Sequence, residues 1–364
     1  MIRVLQCVNN MHRAGLETML MNYYRRIDRE MIQFDFLTHR PERADYDDEI
    51  ELLGGKVYYA PRLYPHKLPQ YYAYMHRFFA EHPEYKIMHS HIDSMSYLPL
   101  KAGKKAGVPI RIAHSHNTSI DRDMKYWLKM YYRECITGVA TDFLACGEKA
   151  GQFLFKGRTF DVIPNAIEKK PFLFDEEIRK QKRQELGLGD DLVIGHIGRI
   201  SYQKNHRLLV QIFNSIAKLR PNSKLLIIGV GEKEEEIRSL VSKLGINDKV
   251  YFLGKRTDVN ELYQAMDAFV MPSFFEGVPV VGVEAQYSKL PCFFSDRVPE
   301  EVKFSEATSF IDLTDTPDIW ASKICDYLSK CPPRCEINVD EDKYDIDKTY
   351  KLLSDYYLNA YKEI

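Results

Sequence analysis

The sequence predicts an α/β protein made of two Rossmann-like domains, each built on a doubly wound parallel sheet. Short apolar runs of strand type alternate with amphipathic segments of helical period, and this alternation is typical of βαβ units. The alternation pauses around residues 160–174 and then begins again. At 364 residues the chain has room for two domains of ordinary size. We therefore expect one domain over residues 1–165 and a second over residues 166–347.

The first domain is predicted to begin with a buried strand, because its opening residues lack the pattern of a signal peptide. The predicted strands are Val4–Val8, Gln33–Leu37, Lys56–Tyr59, Ile87–His89, Arg111–Ala113 and Phe143–Ala145. Between them, helical spacing of apolar residues predicts Glu17–Arg26, Pro69–Glu81, Ser96–Ala106 and Tyr126–Ala140 as helices.

The second domain repeats the same rhythm. Its predicted strands are Val193–Ile197, Lys224–Ile228, Val250–Phe252, Ala268–Met271 and Cys292–Phe294, with helices between them. The segment Asp345–Ile364 is amphipathic and predicts a helix at the end of the chain.

Two glutamates flank a Gly-Val-Pro turn in the stretch from Pro272 to Gln286. Glu276 follows a predicted buried strand, and Pro279 suits the first turn of the next helix, which places Glu284 about one turn into that helix. Ligands bind at the carboxyl ends of strands in open α/β sheets, and ionised carboxylates only accept hydrogen bonds. The pattern therefore favours a ligand rich in hydroxyl groups, such as a sugar or a ribose.

A basic motif stands upstream, in the stretch from Ile194 to His206. Gly198 ends a predicted strand, and Arg199 and Lys204 follow it before a predicted helix that begins at Asn205. Glycine permits close approach of the backbone, and a helix N-terminus offers N–H donors to an anion. Arginine adds a planar fork and lysine a compact charge, which together suit a diphosphate.

GRISYQKN and EGVPVVGVE together resemble the retaining, nucleotide-sugar-dependent glycosyltransferases of family 4, which have the GT-B fold. Further matches, in the expected order, are MHRAGLETML, KIMHSHIDS, RIAHSHNT and VIPNAI. The sequence is most similar in character to bacterial capsule and exopolysaccharide transferases. The resemblance implies two Rossmann-like domains facing across a cleft, with the helix at about 348–364 packing back on the first. It assigns the acceptor to the first domain and the nucleotide sugar to the second.

The resemblance also assigns donor-binding roles. Glu284 would accept the ribose hydroxyls, Arg199 and Lys204 would neutralise the diphosphate, and Glu276 would position the transferred sugar. Direct attack on the same face of the donor is implied, without a covalent intermediate. The remaining implied donor contacts are Gly15, Gly198, Gly229, Arg256, Val259, Gly277 and Val278. Ala14 stands where the family usually has a glycine, so the contact at Gly15 depends on how the added methyl group is accommodated.

Histidines are concentrated after two predicted strands of the first domain. The resemblance places His116 at the transferred sugar, in the catalytic group with Glu276, Arg199 and Lys204. His89, His91 and His114 would contact the acceptor or stabilise the strand ends. No metal is predicted, because the basic groups neutralise the diphosphate and neither Asp121–Asp123 nor Asp47–Asp48 lies where a donor-bound ion would be held.

The predicted partners are a nucleotide-sugar donor, with UDP favoured and GDP possible, and a glycan or lipid-linked acceptor; no cofactor and no nucleic acid are predicted. Seven scattered cysteines fit a reducing cytosol, and no apolar run approaches the roughly 18 residues of a membrane span. Basic and aromatic residues are concentrated over Asp121–Glu134 and at Lys101, Lys104 and Lys105. This concentration indicates peripheral contact with the cytoplasmic face of a membrane, and an ordinary scatter of surface charge explains it equally well.

Two other functions fit the same architecture. One is a nucleotide-sugar epimerase or a phosphorylase, and the other is a non-catalytic partner of another glycosyltransferase. The complete set of Arg199, Lys204, Glu276 and Glu284 favours transfer over both, because each of these groups has a role toward a nucleotide sugar.

Overall fold

A computed structural model describes residues 1–120, 124–340 and 342–364. The chain forms two compact units. The first comprises Met1–Ala166 together with Asp345–Ile364, and the second comprises Ile167–Tyr344. Each unit is built on a parallel β-sheet.

The sheet of the first unit has the strand order β3-β2-β1-β4-β5-β6-β7. Its strands are β1 (Ile2–Val8), β2 (Ile32–Thr38), β3 (Val57–Tyr59), β4 (Ile87–Ser90), β5 (Ile110–Ser115), β6 (Asp142–Ala145) and β7 (Asp161–Val162). The helices are α1 (Gly15–Arg26), α2 (Asp47–Leu52), α3 (Leu68–Glu81), α4 (Tyr97–Lys105), α5 (Tyr126–Cys135), α6 (Glu148–Phe155) and, at the end of the chain, α13 (Ile346–Lys362).

Side chains from the two faces of this sheet enter separate apolar cores. Along β1, Val4 packs in one core and Leu5 in the other, because successive residues of a strand point to opposite faces. Helix α13 contributes Leu353 and Tyr357 to the first of these cores, and the Tyr357 ring lies 5.8 Å from that of Phe34. The last helix of the chain is therefore part of the interior of the first unit.

The sheet of the second unit has the order β10-β9-β8-β11-β12-β13. Its strands are β8 (Leu192–Ile197), β9 (Ser223–Ile228), β10 (Val250–Gly254), β11 (Ala268–Met271), β12 (Cys292–Ser295) and β13 (Thr308–Ile311). The helices are α7 (Glu176–Glu185), α8 (His206–Leu219), α9 (Glu234–Leu244), α10 (Val259–Ala265), α11 (Val280–Tyr287) and α12 (Pro317–Lys330). The chain order reverses between β8 and β11, which creates the switch point where such sheets bind ligands.

One predicted helix boundary was wrong by more than a turn. The predicted helix at Ser96–Ala106 is observed as α4, which follows a 3₁₀ turn at Asp93–Ser96, whereas the helix predicted to reach Ala140 ends at Cys135. A 3₁₀ turn at Ile136–Gly138 follows it, in a segment with β-branched residues and glycine, which all have low helix propensity.

Candidate functional site

The predicted ligand-binding residues of the second unit follow the carboxyl ends of neighbouring strands. The loop after β8 carries Arg199 and Lys204, the loop after β9 begins at Gly229, and the loop after β11 carries Glu276. Since the sheet is parallel and these strands are adjacent, the loops emerge at one edge. The topology therefore brings together motifs that lie far apart in sequence.

Lys204 and Glu276 form an ion pair, with 2.7 Å between Lys204 Nζ and Glu276 Oε1. The lysine side chain is 15% exposed and that of the glutamate 6%. Gln203 Nε2 donates to the other carboxylate oxygen at 3.3 Å and to the Phe275 carbonyl at 3.0 Å. These contacts join the loop after β8 to the loop after β11, and they hold a charged, hydrogen-bonding pair with little access to water.

The residue after Lys204 fixes where the helix begins. Asn205 has left-handed backbone angles, φ 52° and ψ 47°, and caps α8 by accepting a hydrogen bond from Leu208 N. Its side-chain amide also donates to the Pro272 carbonyl at 3.1 Å. Asn205, predicted as the first helical residue, is instead the N-cap, and its two contacts position Lys204 beside the loop after β11.

Close packing of the two loops requires a glycine at position 229. A Cβ atom on Gly229, whose φ is +127°, would lie 2.1 Å from the Gly198 carbonyl oxygen. A Cβ atom on Gly198 would lie 3.3 Å from Lys204 Cε. A side chain at position 198 would therefore be in tight contact with the lysine stem, which would have to shift slightly.

Arg199 is in a different state from Lys204. Its side chain is 73% exposed and pairs with Glu232, with 3.0 Å between Arg199 Nη2 and Glu232 Oε2. Exposed pairs of this kind contribute about 0–1 kcal/mol, so an anionic ligand can displace Glu232 at little cost. Sequence reasoning missed Glu232, which follows the glycines after β9 without a pattern that marks it as a partner.

Glu284 lies within α11 and is 8% exposed. The Tyr263 hydroxyl donates to Glu284 Oε2 at 2.9 Å. Burial raises the pKa of the Glu284 carboxyl to about 7, and the Tyr263 hydrogen bond lowers it in part. Additional hydroxyl donors from a ligand would stabilise the ionised form further, so this carboxylate suits recognition of a diol. Tyr263 was also missed by the sequence analysis.

Arg256 pairs with Asp258 just before α10, whose first residue is Val259. Arg256 Nη2 lies 2.6 Å from Asp258 Oδ2, and the hydrogen bonds from Arg256 hold the pKa of this carboxyl well below its usual range. The buried Lys182 ammonium lies 2.9 Å from the same carboxylate. Arg256 is therefore fixed within a network of charges, and its contact with the nucleotide-sugar donor stays a prediction.

In the first unit, Gly15 is the first residue of α1 and Ala14 is its N-cap. Both are exposed, and Ala14 has an extended backbone with φ −145°. Any residue adopts this conformation, so the methyl group of Ala14 causes no backbone strain.

The histidines form a cluster at the carboxyl ends of β4 and β5. His89, His91 and His114 are at most 2% exposed, whereas His116 is only partly buried. The burial of His89, His91 and His114 does not fit direct contact with an acceptor. It fits the alternative role, in which these side chains stabilise the strand ends. Burial lowers the pKa of all four imidazoles, that of His116 to about 3.

His89, His91 and His114 also place ring nitrogens within 4.8 Å of one another, close enough to consider a metal site. Hydrogen bonds already engage five of the six ring nitrogens, with Tyr357, Gln6, His116 or one another as partners. The cluster is therefore accounted for by hydrogen bonding, which leaves few lone pairs for a metal.

The Asp121–Asp123 segment, considered above as a place for a donor-bound ion, lies outside the described residues.

A basic and aromatic surface surrounds α5. Trp127 and Tyr131 are 80% and 59% exposed and lie one turn apart on one side of the helix, and Met124, in the turn before the helix, is fully exposed. Lys104 and Lys105, on the neighbouring α4, are exposed as well. In the part of the chain that the structure describes, no helix has the length and apolar character needed to span a membrane.

Comparison with known proteins adds three findings. Residues 178–323 match the family model described as glycosyl transferases group 1. The putative glycosyltransferase EpsF of Bacillus subtilis (strain 168) is 33% identical over 344 residues, which cover 92% of this chain and 90% of EpsF. The capsular polysaccharide biosynthesis glycosyltransferase CapH of Staphylococcus aureus is 22% identical over 374 residues, with 99% of both chains covered.

The fold has solved counterparts. HepE of Anabaena, determined in complex with UDP-glucose, superposes with a TM-score of 0.73 and 18% identity, over 98% of this chain and 95% of that chain. The predicted GT-B fold class is confirmed by this similarity and by the two parallel sheets.

Proposed function

Because this chain belongs to the glycosyl transferases group 1 family, we propose that it transfers a sugar from a UDP-sugar to a glycan or lipid-linked acceptor, with retention of anomeric configuration. Glycosyl transfer in polysaccharide biosynthesis is the activity to which its relatives point. The observation that carries the finer proposal is the enclosed Lys204–Glu276 pair at the carboxyl edge of the second sheet.

Lys204 and Arg199 would stabilise the leaving group. Negative charge grows on the diphosphate as its bond to the anomeric carbon breaks, and prearranged cations lower the energy of that state. Lys204 is already held in place by Glu276, and Arg199 becomes available when an anion displaces Glu232. The two basic groups would do this without a metal ion.

Glu276 would hold the transferred sugar. An ionised carboxylate accepts hydrogen bonds from sugar hydroxyls, and Gln203 and Lys204 fix its orientation. In the proposed reaction the acceptor oxygen attacks the anomeric carbon on the face from which the diphosphate departs. The proton of the acceptor hydroxyl passes to the departing phosphate oxygen, so no protein nucleophile is needed.

Glu284 would bind the ribose of the nucleotide, with Arg256, Val259 and Gly229 near the rest of the nucleoside. UDP is favoured as the nucleotide because HepE, a neighbour in fold, was determined with UDP-glucose. The Tyr263 hydroxyl supports the Glu284 carboxylate from the protein side and leaves its remaining acceptor capacity for the ligand.

We place the reaction at the cytoplasmic face of a membrane. Trp127 and Tyr131 form an exposed apolar side of α5, Met124 is exposed just before this helix, and the exposed Lys104 and Lys105 add positive charge nearby. Aromatic residues favour the membrane interface and lysines are attracted to anionic lipids. Such contact would bring the protein to a lipid-linked acceptor.

A panel of UDP- and GDP-sugars tests the proposal, with a lipid-linked sugar as acceptor and release of nucleoside diphosphate as the measured quantity. A transferase releases the diphosphate and glycosylates the acceptor with the donor's anomeric configuration. An epimerase would convert the donor without release, a phosphorylase would require inorganic phosphate, and a non-catalytic partner would leave every donor intact.

A further inference from the structure

A continuous chain of side-chain hydrogen bonds connects the interior of the first unit to His116. It begins at Gln6 in the middle of the sheet, on β1, and involves His89 and His91 at the end of β4. Tyr357 joins it from α13. None of these four residues has a role in the proposed reaction. An acceptor contact was predicted for His89 and His91, but their burial argues against it.

Gln6 lies at the branch point of this chain. Its amide nitrogen donates to the Tyr357 hydroxyl at 3.1 Å, and its amide oxygen lies 2.8 Å from His91 Nε2. On the other side of the His91 ring, Nδ1 lies 3.0 Å from His116 Nε2. On the second branch, the Tyr357 hydroxyl lies 2.6 Å from His89 Nδ1, and His89 Nε2 lies 3.0 Å from His114 Nδ1.

All of these imidazoles are neutral around pH 7, because burial lowers their pKa values. A neutral imidazole has one N–H donor and one lone pair, so the role of one nitrogen determines the role of the other. Hydrogen-bond direction is therefore transmitted from ring to ring.

The direction follows from the Gln6 amide. Its oxygen is only an acceptor, so His91 Nε2 must donate to it, and His91 Nδ1 is left as a lone pair. That lone pair accepts from His116 Nε2–H. The His116 ring then has no proton on Nδ1, which becomes a hydrogen-bond acceptor.

We propose that Gln6 is a positioning residue that, through His91, fixes the tautomer of His116 so that its Nδ1 accepts a hydrogen bond from a sugar hydroxyl. The contact between His116 and the transferred sugar is the role that the family resemblance implies, and it rests on the proposed function, whereas the tautomer does not. Reversal of the Gln6 amide would reverse both hydrogen bonds on this branch and turn Nδ1 into a donor. The branch therefore sets, from a site inside the sheet, whether Nδ1 of the partly buried His116 donates or accepts a hydrogen bond.

The direct test is nitrogen NMR of the ligand-free protein labelled with ¹⁵N-histidine, with the His116 signals assigned by their loss in His116→Gln. We expect wild-type His116 to carry its proton on Nε2. A proton on Nδ1 would overturn the inference, and this result depends on no variant at Gln6.

The second test is Gln6→Met, which keeps a similar shape and removes both amide hydrogen bonds. We expect His116 to become a mixture of tautomers, kcat to fall about tenfold, as for the loss of one oriented hydrogen bond, and the Kd for UDP to stay unchanged. Leu353→Ala serves as the matched control, because Leu353 is buried in the same unit and makes none of these hydrogen bonds. It should lower the melting temperature without altering the tautomer.

The outcomes separate this inference from the proposed function. An unchanged His116 tautomer in Gln6→Met, or an altered tautomer with unchanged kcat, would refute the role of Gln6. A wild-type protein that transfers no sugar from any donor would refute the proposed function and with it the effect on turnover, whether or not its His116 carries the proton on Nε2.

Discussion

Lys204 Nζ lies 2.7 Å from Glu276 Oε1, although 72 residues separate the two in sequence. Both side chains are largely enclosed. A charge that is shielded from water interacts strongly with its partner, and its loss leaves the partner uncompensated. Loss of either member of the pair should therefore affect both the stability of the second unit and its proposed chemistry. Arg199 is exposed, so its loss should affect the chemistry alone.

Arg199→Ala and Lys204→Ala are expected to differ in their effect on folding. Both should lower kcat/KM at least about tenfold, because each removes a charge-assisted contact worth about 1.5–3 kcal/mol. Lys204→Ala should also destabilise the protein by about 3 kcal/mol, since it leaves Glu276 without its buried cation, whereas Arg199→Ala should not. Steady-state kinetics and thermal unfolding measure the two effects, with Glu232→Ala as the control that releases Arg199 without removing it. Equal melting temperatures for Arg199→Ala and Lys204→Ala would contradict the expected difference in stability.

Glu276→Gln and Glu284→Gln should separate sugar positioning from nucleotide binding. We expect Glu284→Gln to weaken UDP and UDP-sugar alike, because the ribose is common to both ligands. Glu276→Gln should leave UDP affinity nearly unchanged and reduce turnover severely, because its proposed contacts are to the sugar. Calorimetric titration with UDP decides the assignment, and a greater loss of affinity in Glu276→Gln would reverse it.

Donor binding should strengthen as pH rises through 7. Burial raises the pKa of Glu284 to about 7, and only its ionised form accepts two hydroxyl donors. If binding selects this form, affinity for a UDP-sugar should increase about tenfold from pH 6 to pH 8, with release of a proton. Titrations in buffers of different ionisation enthalpy measure that proton. The dependence should disappear in Glu284→Gln.

The same carboxyl predicts an opposite trend in the stability of the free protein. Its pKa of about 7 in the folded state is higher than the ordinary 4.5, so its ionisation costs stability increasingly as pH rises from 4.5 to 7. Glu284→Gln should therefore raise the free energy of unfolding by about 1–3 kcal/mol at pH 8 and by much less at pH 5. Urea unfolding at both pH values checks this, and an equal gain at both would show that ionisation is not the cause.

Activity should survive an excess of chelator, since the proposed neutralisation of the diphosphate relies on Arg199 and Lys204. Transfer is measured before and after EDTA treatment, with and without added Mg²⁺ or Mn²⁺. Complete loss that a divalent ion restores would show that a metal carries the leaving-group charge.

Binding to vesicles should require anionic lipid and the exposed side of α5. Wild-type protein should sediment with vesicles containing phosphatidylglycerol and not with phosphatidylcholine alone, and the fraction bound should decrease with salt. Trp127→Ser should reduce binding several-fold. Leu219→Ser is the matched control, because Leu219 is also exposed but lies in the second unit. Equal loss in both variants would exclude a specific role for α5.

The fold class and most strands followed from apolar runs, because a parallel strand is buried on both faces and its sequence shows this locally. Ala268–Met271 was predicted with its observed bounds. Contacts between side chains that lie far apart in sequence were not accessible in this way. Nothing near Tyr263 marks it as the partner of Glu284, and nothing near Glu232 marks it as the partner of Arg199.

The same limit explains the histidines. Their concentration after β4 and β5 was visible in the sequence, but a histidine at a strand end looks alike whether it faces solvent or the interior. Only the contacts of Tyr357 with His89, and of His89 with His114, showed that these two histidines are inside.

The first unit contains both Gln6, near the start of the chain, and Tyr357, near its end. During synthesis, its core therefore stays open until translation has passed through all of the second unit. Domains generally fold as they emerge from the ribosome, so the second unit has the opportunity to reach its native state first. An incomplete chain that ends before Tyr357 would expose the apolar surface around Phe34 that α13 covers. Such a product would be prone to aggregation, because exposed apolar surface promotes association between incompletely folded chains.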